Sequence, residues 1–177
     1  MPETVPLRSI HHVELVVGNA KQAAYFYRKA FGFSQIAYLG PETGHRDRAS
    51  YALQQGEIRL VLTTPLTPEH PLSDHHKLHG DGVRDIAFLV DDVEATHAEV
   101  LRRGAASAVD PHEIGDEGGT ARHAAVATYG DTIHSFYSLA DYDGPFIPGF
   151  RPDEKREPDV GLKCIDHIVG NVEDRKR

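Results

Sequence analysis

The sequence has one cysteine, no long apolar run and no excess of basic charge, and each shortage argues against a class of protein. A single cysteine, Cys164, cannot form a disulfide within the chain and is typical of a reducing compartment. No stretch reaches the roughly 20 apolar residues that a membrane-spanning helix needs, and the first residues lack the apolar core of a signal peptide. With 27 acidic and 19 basic residues, the net charge of -8 gives no electrostatic basis for binding nucleic acid or an anionic membrane. We therefore expect a soluble, cytoplasmic protein.

What the sequence does contain is a strand-like opening that occurs three times. Each copy starts with a polar residue able to bind a metal and continues as a mostly apolar run; the copies start at His12, Asp85 and His167. The first two starts are 73 residues apart (85 − 12 = 73), and a repeat at such a distance is the signature of a fold built from copies of one unit. Only Glu-Asp-Arg-Lys-Arg follows the third copy over 167–172, so we expect the chain to be the front part of a larger protein.

After the first opening the pattern predicts one helix and three strands. Asn19 can cap a helix over 20–31, whose apolar residues recur with helical spacing and which Gly32 ends. Extended segments follow at about 33–39, 49–54 and 58–64, and Gln55-Gly56 supplies the turn of a hairpin between the last two.

The same order recurs after Gly82. A strand over 85–90 leads to Asp91, and Glu94 three residues later resembles a capping box for a helix over 93–103. Strands near 106–109, 121–128 and 133–139 follow, the last two joined across Tyr129-Gly130-Asp131. We therefore predict an α+β fold of two βαβββ units. Each unit alone leaves a sheet face uncovered, so the two should pair into one curved sheet.

Composition divides the chain into one domain, a linker and the beginning of another domain. The two units occupy about 10–66 and 83–140 of a domain over 1–140, and a connector with a short helix lies between them. Residues 141–161 are rich in proline, glycine and charge, which is typical of a linker. Residues 162–177 would then be the truncated first strand of the next domain. We expect the chain after about residue 150 to be poorly packed unless a partner covers it.

Paired βαβββ units resemble the vicinal oxygen chelate (glyoxalase/bleomycin-resistance/dioxygenase) superfamily, and four motifs narrow the resemblance to the 4-hydroxyphenylpyruvate dioxygenase family. The motifs are Val-Gly-Asn-Ala-Lys-Gln-Ala-Ala-Tyr-Phe-Tyr from Val17, His-Gly-Asp-Gly-Val-Arg-Asp-Ile-Ala-Phe from His79, Tyr-Asp-Gly-Pro-Phe-Ile-Pro-Gly-Phe from Tyr142 and Ile-Asp-His-Ile-Val-Gly-Asn-Val-Glu from Ile165. They stand in order over nearly the whole chain. The 4-hydroxymandelate synthases share the fold, substrate and metal, and the motifs do not separate the two.

The resemblance implies a role for the chain and for one histidine. In that family the N-terminal pair of units binds no metal, and a non-haem Fe(II) in the C-terminal pair is held by two histidines and one carboxylate, leaving room for a 2-oxo acid and dioxygen. His167 falls on the first of these three ligands, and the other two would lie beyond residue 177. The implied parent is a homo-oligomeric enzyme of tyrosine catabolism that converts 4-hydroxyphenylpyruvate and O2 to homogentisate and CO2. The chain alone would be inactive and would hold no stoichiometric iron.

The first strands of the two units suggest a second candidate site, a cup formed by three side chains. His12 and Asp85 occupy positions where other members of the superfamily place metal ligands, and Glu14 shares a strand face with His12. The last strands of the units carry no Asp or Glu, so a hard, oxygen-preferring ion would lack its carboxylate ligands. We therefore expect polar side chains satisfied within a vestigial cup. The rival interpretation is a stand-alone module that binds a small molecule there.

Other histidines and the cysteine give weaker signals. His75 and His79 are four residues apart and would share a helix face, a spacing that can capture zinc, but the sequence shows no third ligand, which favours a solvated helix. His123 and His134 lie on the last hairpin and could face each other across its strands. Cys164 is expected to be an inert thiol.

Overall fold

A computed structural model of the chain describes residues 5–171, and these form one nine-stranded mixed sheet with three α-helices. In chain order the elements are β1 (Leu7–Val16), α1 (Ala20–Phe31), β2 (Ser34–Leu39), β3 (Arg48–Gln55), β4 (Ile58–Pro65), α2 (Pro71–His79), β5 (Gly82–Val90), α3 (Val93–Arg102), β6 (Ala106–Asp116), β7 (Gly119–Ala127), β8 (Ile133–Ser138) and β9 (Arg151–Lys155). The strands lie in the order β6-β7-β8-β5-β1-β4-β3-β2-β9. No helix within residues 5–171 has the length and apolarity required to cross a membrane.

The two units meet at the centre of the sheet. Strands β1 and β5 run antiparallel there, and each is flanked by the last strand of its own unit in parallel, β4 beside β1 and β8 beside β5. This pairing confirms the predicted fold of two βαβββ units in one sheet. It also places Glu14 directly opposite Asp85, so the openings of the two units lie side by side.

Helix α1 begins and ends at the residues that the sequence indicates. The N–H of Gln22 donates to Asn19 Oδ1 at 3.0 Å, which satisfies one of the free donors of the first turn. Gly32 follows the helix with φ 69°, a left-handed conformation that costs glycine little. The inner face of the helix packs against the fully buried Leu53 and Leu62 of the sheet.

Helix α3 begins one residue later than the predicted capping box requires. Asp92 is the N-cap, because its Oδ1 accepts a hydrogen bond from Ala95 N–H at 2.9 Å. Asp91 forms an ion pair with Arg8 instead, and Glu94 forms one with an arginine of β7. The prediction of Asp91 as the cap is therefore wrong. Two consecutive aspartates are both favoured N-cap residues, and the helix uses the second.

The segment that the sequence assigns to a linker is packed into the fold. Phe146 and Phe150 are buried in a cluster with apolar residues of β2, β3 and β4, and β9 pairs antiparallel with β2 at the edge of the sheet. The expectation of poor packing after about residue 150 is therefore wrong for β9. Proline and charged residues are typical of linkers, but they are also typical of edge strands. The outer backbone groups of an edge strand need no partner and must resist pairing with another strand.

Beyond β9 the chain runs without helix or strand along α1 and the β3-β4 hairpin. Gln55 Oε1 accepts hydrogen bonds from the N–H groups of Val160 and Leu162 at 3.1 and 3.0 Å, and Glu57 N–H donates to Lys163 O at 2.7 Å. The described part of the third strand opening, residues 167–171, makes no strand pairing. Residue 172 and the charged tail 173–177 lie outside the described residues.

Candidate functional site

His11 and His12 lie side by side in the centre of the sheet, and both are buried. Their Nδ1 atoms are 2.7 Å apart, so one ring must donate an N–H to the lone pair of the other. Burial lowers the pKa of His11 to about 4, and burial together with the charges of His11 and Arg59 holds the pKa of His12 well below its usual range. Both imidazoles are therefore neutral at physiological pH.

His11 is a cup residue that the sequence interpretation missed. Regular alternation along a strand would send consecutive side chains to opposite faces. The pairing of β1 with β5 is irregular between Ile10 and His12, and an irregularity of this kind lets neighbouring residues share a face. The only signal in the sequence is the His-His pair itself, which does not reveal a bulge.

Asp85 is buried and uses both carboxyl oxygens to bind Ser135 on the neighbouring strand. The N–H of Ser135 lies 3.0 Å from Asp85 Oδ1, and the Ser135 hydroxyl lies 2.5 Å from Oδ2. Burial raises the pKa of Asp85 to about 7, although the hydrogen bonds from Ser135 act to lower it. The charge of Glu14 raises this pKa further. A carboxyl group that keeps its proton close to neutral pH is a poor ligand for a hard cation.

Glu14 belongs to a separate chain of hydrogen bonds. The Thr63 hydroxyl donates to Glu14 Oε1 at 2.6 Å, and the Ser50 and Thr63 hydroxyl oxygens are 2.8 Å apart. Because Thr63 already donates to Glu14, its bond with Ser50 must be one in which Ser50 donates. This chain ties β1 to β4 and β3, and it engages the carboxylate that the sequence suggests as a substitute ligand.

Aromatic rings close the cup. The ring of Phe146 lies 5.1 Å from the rings of both His11 and His12, measured between centroids. Tyr137 lies 5.8 Å from His12 and stacks on His123 at 4.5 Å. Burial and the nearby Asp85 charge raise the pKa of Tyr137. The space in front of the two histidines is thus filled by apolar ring faces rather than by groups that could complete a metal site.

The three cup residues named from the sequence therefore share a region but do not converge on one point. His12 bonds to His11, Asp85 to Ser135, and Glu14 to Thr63. Among residues 5–171, no group of three candidate ligands with donor atoms within 4.8 Å of one another contains His12, Glu14 or Asp85. The donor set of the cup does not fit a metal ion in this arrangement.

An open cavity of about 820 Å³ lies beside the closed cup, against residues 144–152. Its walls include Arg48, Asp116, His123 and Tyr137. Burial, reinforced by His112, lowers the pKa of His123 to about 4, so the positive charge of the cavity wall comes from Arg48 and Arg151. Cavities of this size accommodate small organic molecules.

His167 stands apart from the cup and from the cavity. Its side chain is 73% exposed, and its Nδ1 lies 2.6 Å from Asp166 Oδ2. Within the described residues no cluster of three candidate ligands contains His167. The residues of this chain that the structure describes therefore do not by themselves fit the iron site that the resemblance implies.

The structure places a third candidate ligand beside the histidine pair on α2. His79 Nε2 lies 2.8 Å from Asp131 Oδ2 in the turn between β7 and β8, and one donor atom from each of His75, His79 and Asp131 lies within 4.8 Å of the others. The interpretation of His75 and His79 as part of a solvated helix is thus incomplete. Asp131 is 52 residues away from His79 in the sequence, so no local pattern could reveal it.

The two histidines of the last hairpin do not face each other. His123 lies opposite Tyr137, and His134 lies opposite Val126, because the register of β7 and β8 places the two histidines in different pairs. The ring of His134 meets the edge of Phe88 at 5.4 Å. The cross-strand contact that the sequence allows is therefore not formed, and both histidines have other partners. Cys164 is a free, exposed thiol.

Comparison with known proteins gives the same fold and a narrower similarity. Residues 9–144 match the model of the Glyoxalase/Bleomycin resistance protein/Dioxygenase superfamily. The chain is 42% identical over 181 residues to a 4-hydroxyphenylpyruvate dioxygenase of Danio rerio, covering 98% of this chain and 46% of that protein. It is 41% identical over 177 residues to the 4-hydroxyphenylpyruvate dioxygenase of Dictyostelium discoideum, covering 96% of this chain and 48% of that protein. The chain thus spans about half the length of the curated relatives it matches.

Solved structures of other proteins share this fold. A triple mutant of 4-hydroxymandelate synthase from Streptomyces coelicolor superposes with a TM-score of 0.72 at 31% identity, covering 89% of this chain and 44% of that one. Methylmalonyl-CoA epimerase from Mycobacterium tuberculosis gives a TM-score of 0.63 at 15% identity, covering 77% and 91%, which shows a shared fold alone.

Proposed function

Because the chain belongs to the glyoxalase/bleomycin resistance protein/dioxygenase superfamily, we propose that it is the non-catalytic N-terminal half of a 4-hydroxyphenylpyruvate dioxygenase-like enzyme. One observation carries this proposal: the similarity extends over 98% of this chain but only 46% of the relative. The reaction of the whole enzyme would convert 4-hydroxyphenylpyruvate and O2 to homogentisate and CO2, and it would take place in the half that this chain does not contain.

The closed cup supports a non-catalytic role. Superfamily sites need side chains that converge on an ion and leave positions open for a substrate. Here His12 and Asp85 are bound to neighbouring side chains, and Phe146 covers the position in front of the histidines. The polar residues of the cup therefore stabilise the pairing of the two units and carry no chemistry.

His167 would be the first of three ligands to an Fe(II) that the complete enzyme holds. Its exposure is compatible with this role, because the other two ligands and the strands around them would belong to the half that this chain does not contain. Residues 162–177 would then begin that domain. With one ligand of three, the chain alone would bind iron too weakly to catalyse the reaction.

The chain would contribute packing surfaces to the complete enzyme, which we propose to be a cytoplasmic homo-oligomer. Tyr25, Phe26 and Phe31 are exposed aromatic residues of α1, and Val160 and Leu162 are exposed in the segment after β9. Large apolar side chains concentrated in this way are typical of surfaces that another domain or subunit covers.

Oxygen uptake with iron(II), ascorbate and 4-hydroxyphenylpyruvate tests the proposal. We expect no turnover above free iron from this chain, and turnover from a protein in which a C-terminal half like that of its relatives follows the chain. In that longer protein His167→Ala should abolish activity, whereas His76→Ala, on helix α2, should not. Homogentisate formed by the chain alone, or full activity of the His167→Ala protein, would overturn the proposal.

Two other functions are distinguished by further measurements. The similarity to a 4-hydroxymandelate synthase structure favours, as the first alternative, an enzyme that forms 4-hydroxymandelate and CO2 from the same substrates. Analysis of the product separates the two enzymes.

The cavity of about 820 Å³ favours, as the second alternative, a module that binds a small molecule by itself. That function would appear as saturable binding of an aromatic acid that is weakened in an Arg48→Ala variant.

A further inference from the structure

The connector helix α2 and the turn between β7 and β8 meet at three side chains with the chemistry of a metal site. We propose that His75, His79 and Asp131 bind a divalent metal ion of the zinc type and so join the connector to the second unit. This site is separate from the iron site of the proposed enzyme, and all its protein ligands belong to this chain.

The helix fixes the relative position of the two imidazoles. Residues four apart lie one above the other on a helix face, and the ring centroids of His75 and His79 are 4.6 Å apart. Pro71 starts the helix and Gly80 follows it, so both histidines lie within regular helix. Two histidines at this spacing are a common part of zinc sites.

Asp131 supplies the carboxylate from a different part of the chain. Its Oδ2 lies 2.8 Å from His79 Nε2, and Arg84 donates a hydrogen bond to its backbone oxygen, which holds the turn in place. His79 Nε2 carries the proton of this hydrogen bond, so a bound ion would replace that proton between the two side chains. The guanidinium of Arg84 is the nearby charge that opposes a cation.

His75 provides the independent indication of a ligand. Only 8% of this residue is exposed, and neither of its ring nitrogens has a hydrogen-bond partner among the described residues. A buried polar atom without a partner costs free energy, so nearly all such atoms in folded proteins are satisfied. A neutral imidazole carries a lone pair on one of its two ring nitrogens. A metal ion would satisfy that nitrogen.

The distances suit an ion of this size. Zinc lies about 2.0 to 2.2 Å from nitrogen and oxygen ligands, so two donor atoms on opposite sides of one ion are at most roughly 4 Å apart. The donor atoms here lie within 4.8 Å of one another, and adjustment of the exposed Asp131 and His79 side chains can bring them closer. Two imidazoles and one carboxylate favour zinc, cobalt or nickel over calcium and magnesium, which prefer oxygen.

An open cleft of about 440 Å³, lined in part by His75 and Asp131, borders the cluster. Water from the cleft can therefore occupy a fourth coordination position. Binding would tie the segment between the two units to the last hairpin of the second unit, and the expected effect is stabilisation rather than catalysis.

Isothermal titration of the chelator-treated chain with Zn²⁺ tests the proposal, and the visible absorption of bound Co²⁺ reports its coordination. We expect about one ion per chain and a rise in Tm with zinc. His79→Ala and Asp131→Asn should each weaken zinc binding by at least about tenfold, since even changes to residues behind the ligands cost that much. Both side chains are exposed, so the variants should fold.

His76 and Asp81 are the matched control, because His76 lies on the same helix and forms a second histidine-aspartate contact, at 2.9 Å, with Asp81 just beyond the end of the helix. His76→Ala and Asp81→Asn should leave zinc affinity and the cobalt spectrum unchanged, as should Glu14→Gln in the cup. Absence of binding in the unmodified chain, or equal losses in the control variants, would overturn the proposal. Neither result bears on the dioxygenase proposal, whose test measures oxygen uptake.

Discussion

The ring of Phe146 stacks on the ring of His11, with 5.1 Å between centroids and 22° between planes. Phe146 comes from the segment that follows β8 and returns across the sheet toward β9, whereas His11 lies on the central strand β1. The chain after the second unit thus seals the cup that the first strands form. Because of this contact, we assign the cup a structural role and not a reactive one.

Phe146→Ala should lower the free energy of unfolding by about 3 to 5 kcal/mol, because it removes a buried ring and leaves a cavity. Denaturation with urea measures the change. The control is Phe26→Ala on α1, where the residue is 56% exposed, and its cost should stay below about 1.5 kcal/mol. Equal losses in the two variants would mean that the 141–150 segment does not pack as described.

The pH dependence of stability should show the raised pKa of Asp85, which lies at about 7 instead of 3.8. Between these values the unfolded chain releases this proton while the folded chain keeps it, so stability falls as pH rises through this window. Above pH 7 the full cost is present, and below about pH 4 it is absent. The slope from this group approaches about 1.4 kcal/mol per pH unit.

Asp85→Asn isolates that contribution, because the amide mimics the protonated carboxyl and can keep both contacts with Ser135. We expect the variant to gain stability relative to the unmodified chain as pH rises from 4 to 8. Urea denaturation at several pH values measures the difference in stability between the two proteins. The buried histidines give the opposite pH trend, but they are present in both proteins, so their contribution cancels in this difference. Parallel stability profiles for the two proteins would contradict the raised pKa.

Asp92→Ala should destabilise the fold by about 1 kcal/mol because it removes the cap of α3. Asp91→Ala removes only an exposed ion pair with Arg8, and such a pair contributes at most about 1 kcal/mol and often less. The comparison is made by thermal unfolding, repeated at high salt, where the Asp91 effect should shrink and the Asp92 effect should persist. A larger loss for Asp91→Ala would restore the capping box predicted from the sequence.

The cup should hold no iron. After dialysis of a His79→Ala variant, which lacks the proposed site on α2, against iron(II) or manganese(II), metal analysis should find no stoichiometric ion, because each candidate donor of the cup is engaged with a neighbouring side chain and Phe146 covers the histidines. Glu14→Gln should leave the metal content unchanged. One iron per chain that Glu14→Gln removes would identify the cup as a metal site and favour the binding module.

Much of the fold follows from the sequence by itself. The bounds of α1 are set by local chemistry, since Asn19 caps the first turn and Gly32 accepts a left-handed conformation. The two units are recognisable because strand and helix periods appear in the chain with their turns. Nothing local, by contrast, distinguishes Asp91 from Asp92 as a cap, or a charged, proline-containing edge strand such as β9 from a linker.

The sites depend on tertiary structure. A bulge in β1 brings His11 beside His12, and the register of β7 with β8 separates His123 from His134. Asp131 joins His75 and His79 only because α2 packs near the end of the second unit. The sequence by itself determined the elements of the two units and the residue types that could serve as ligands. Only the folded sheet decided which of those side chains meet, because a shift of one residue in register moves a side chain to the opposite face.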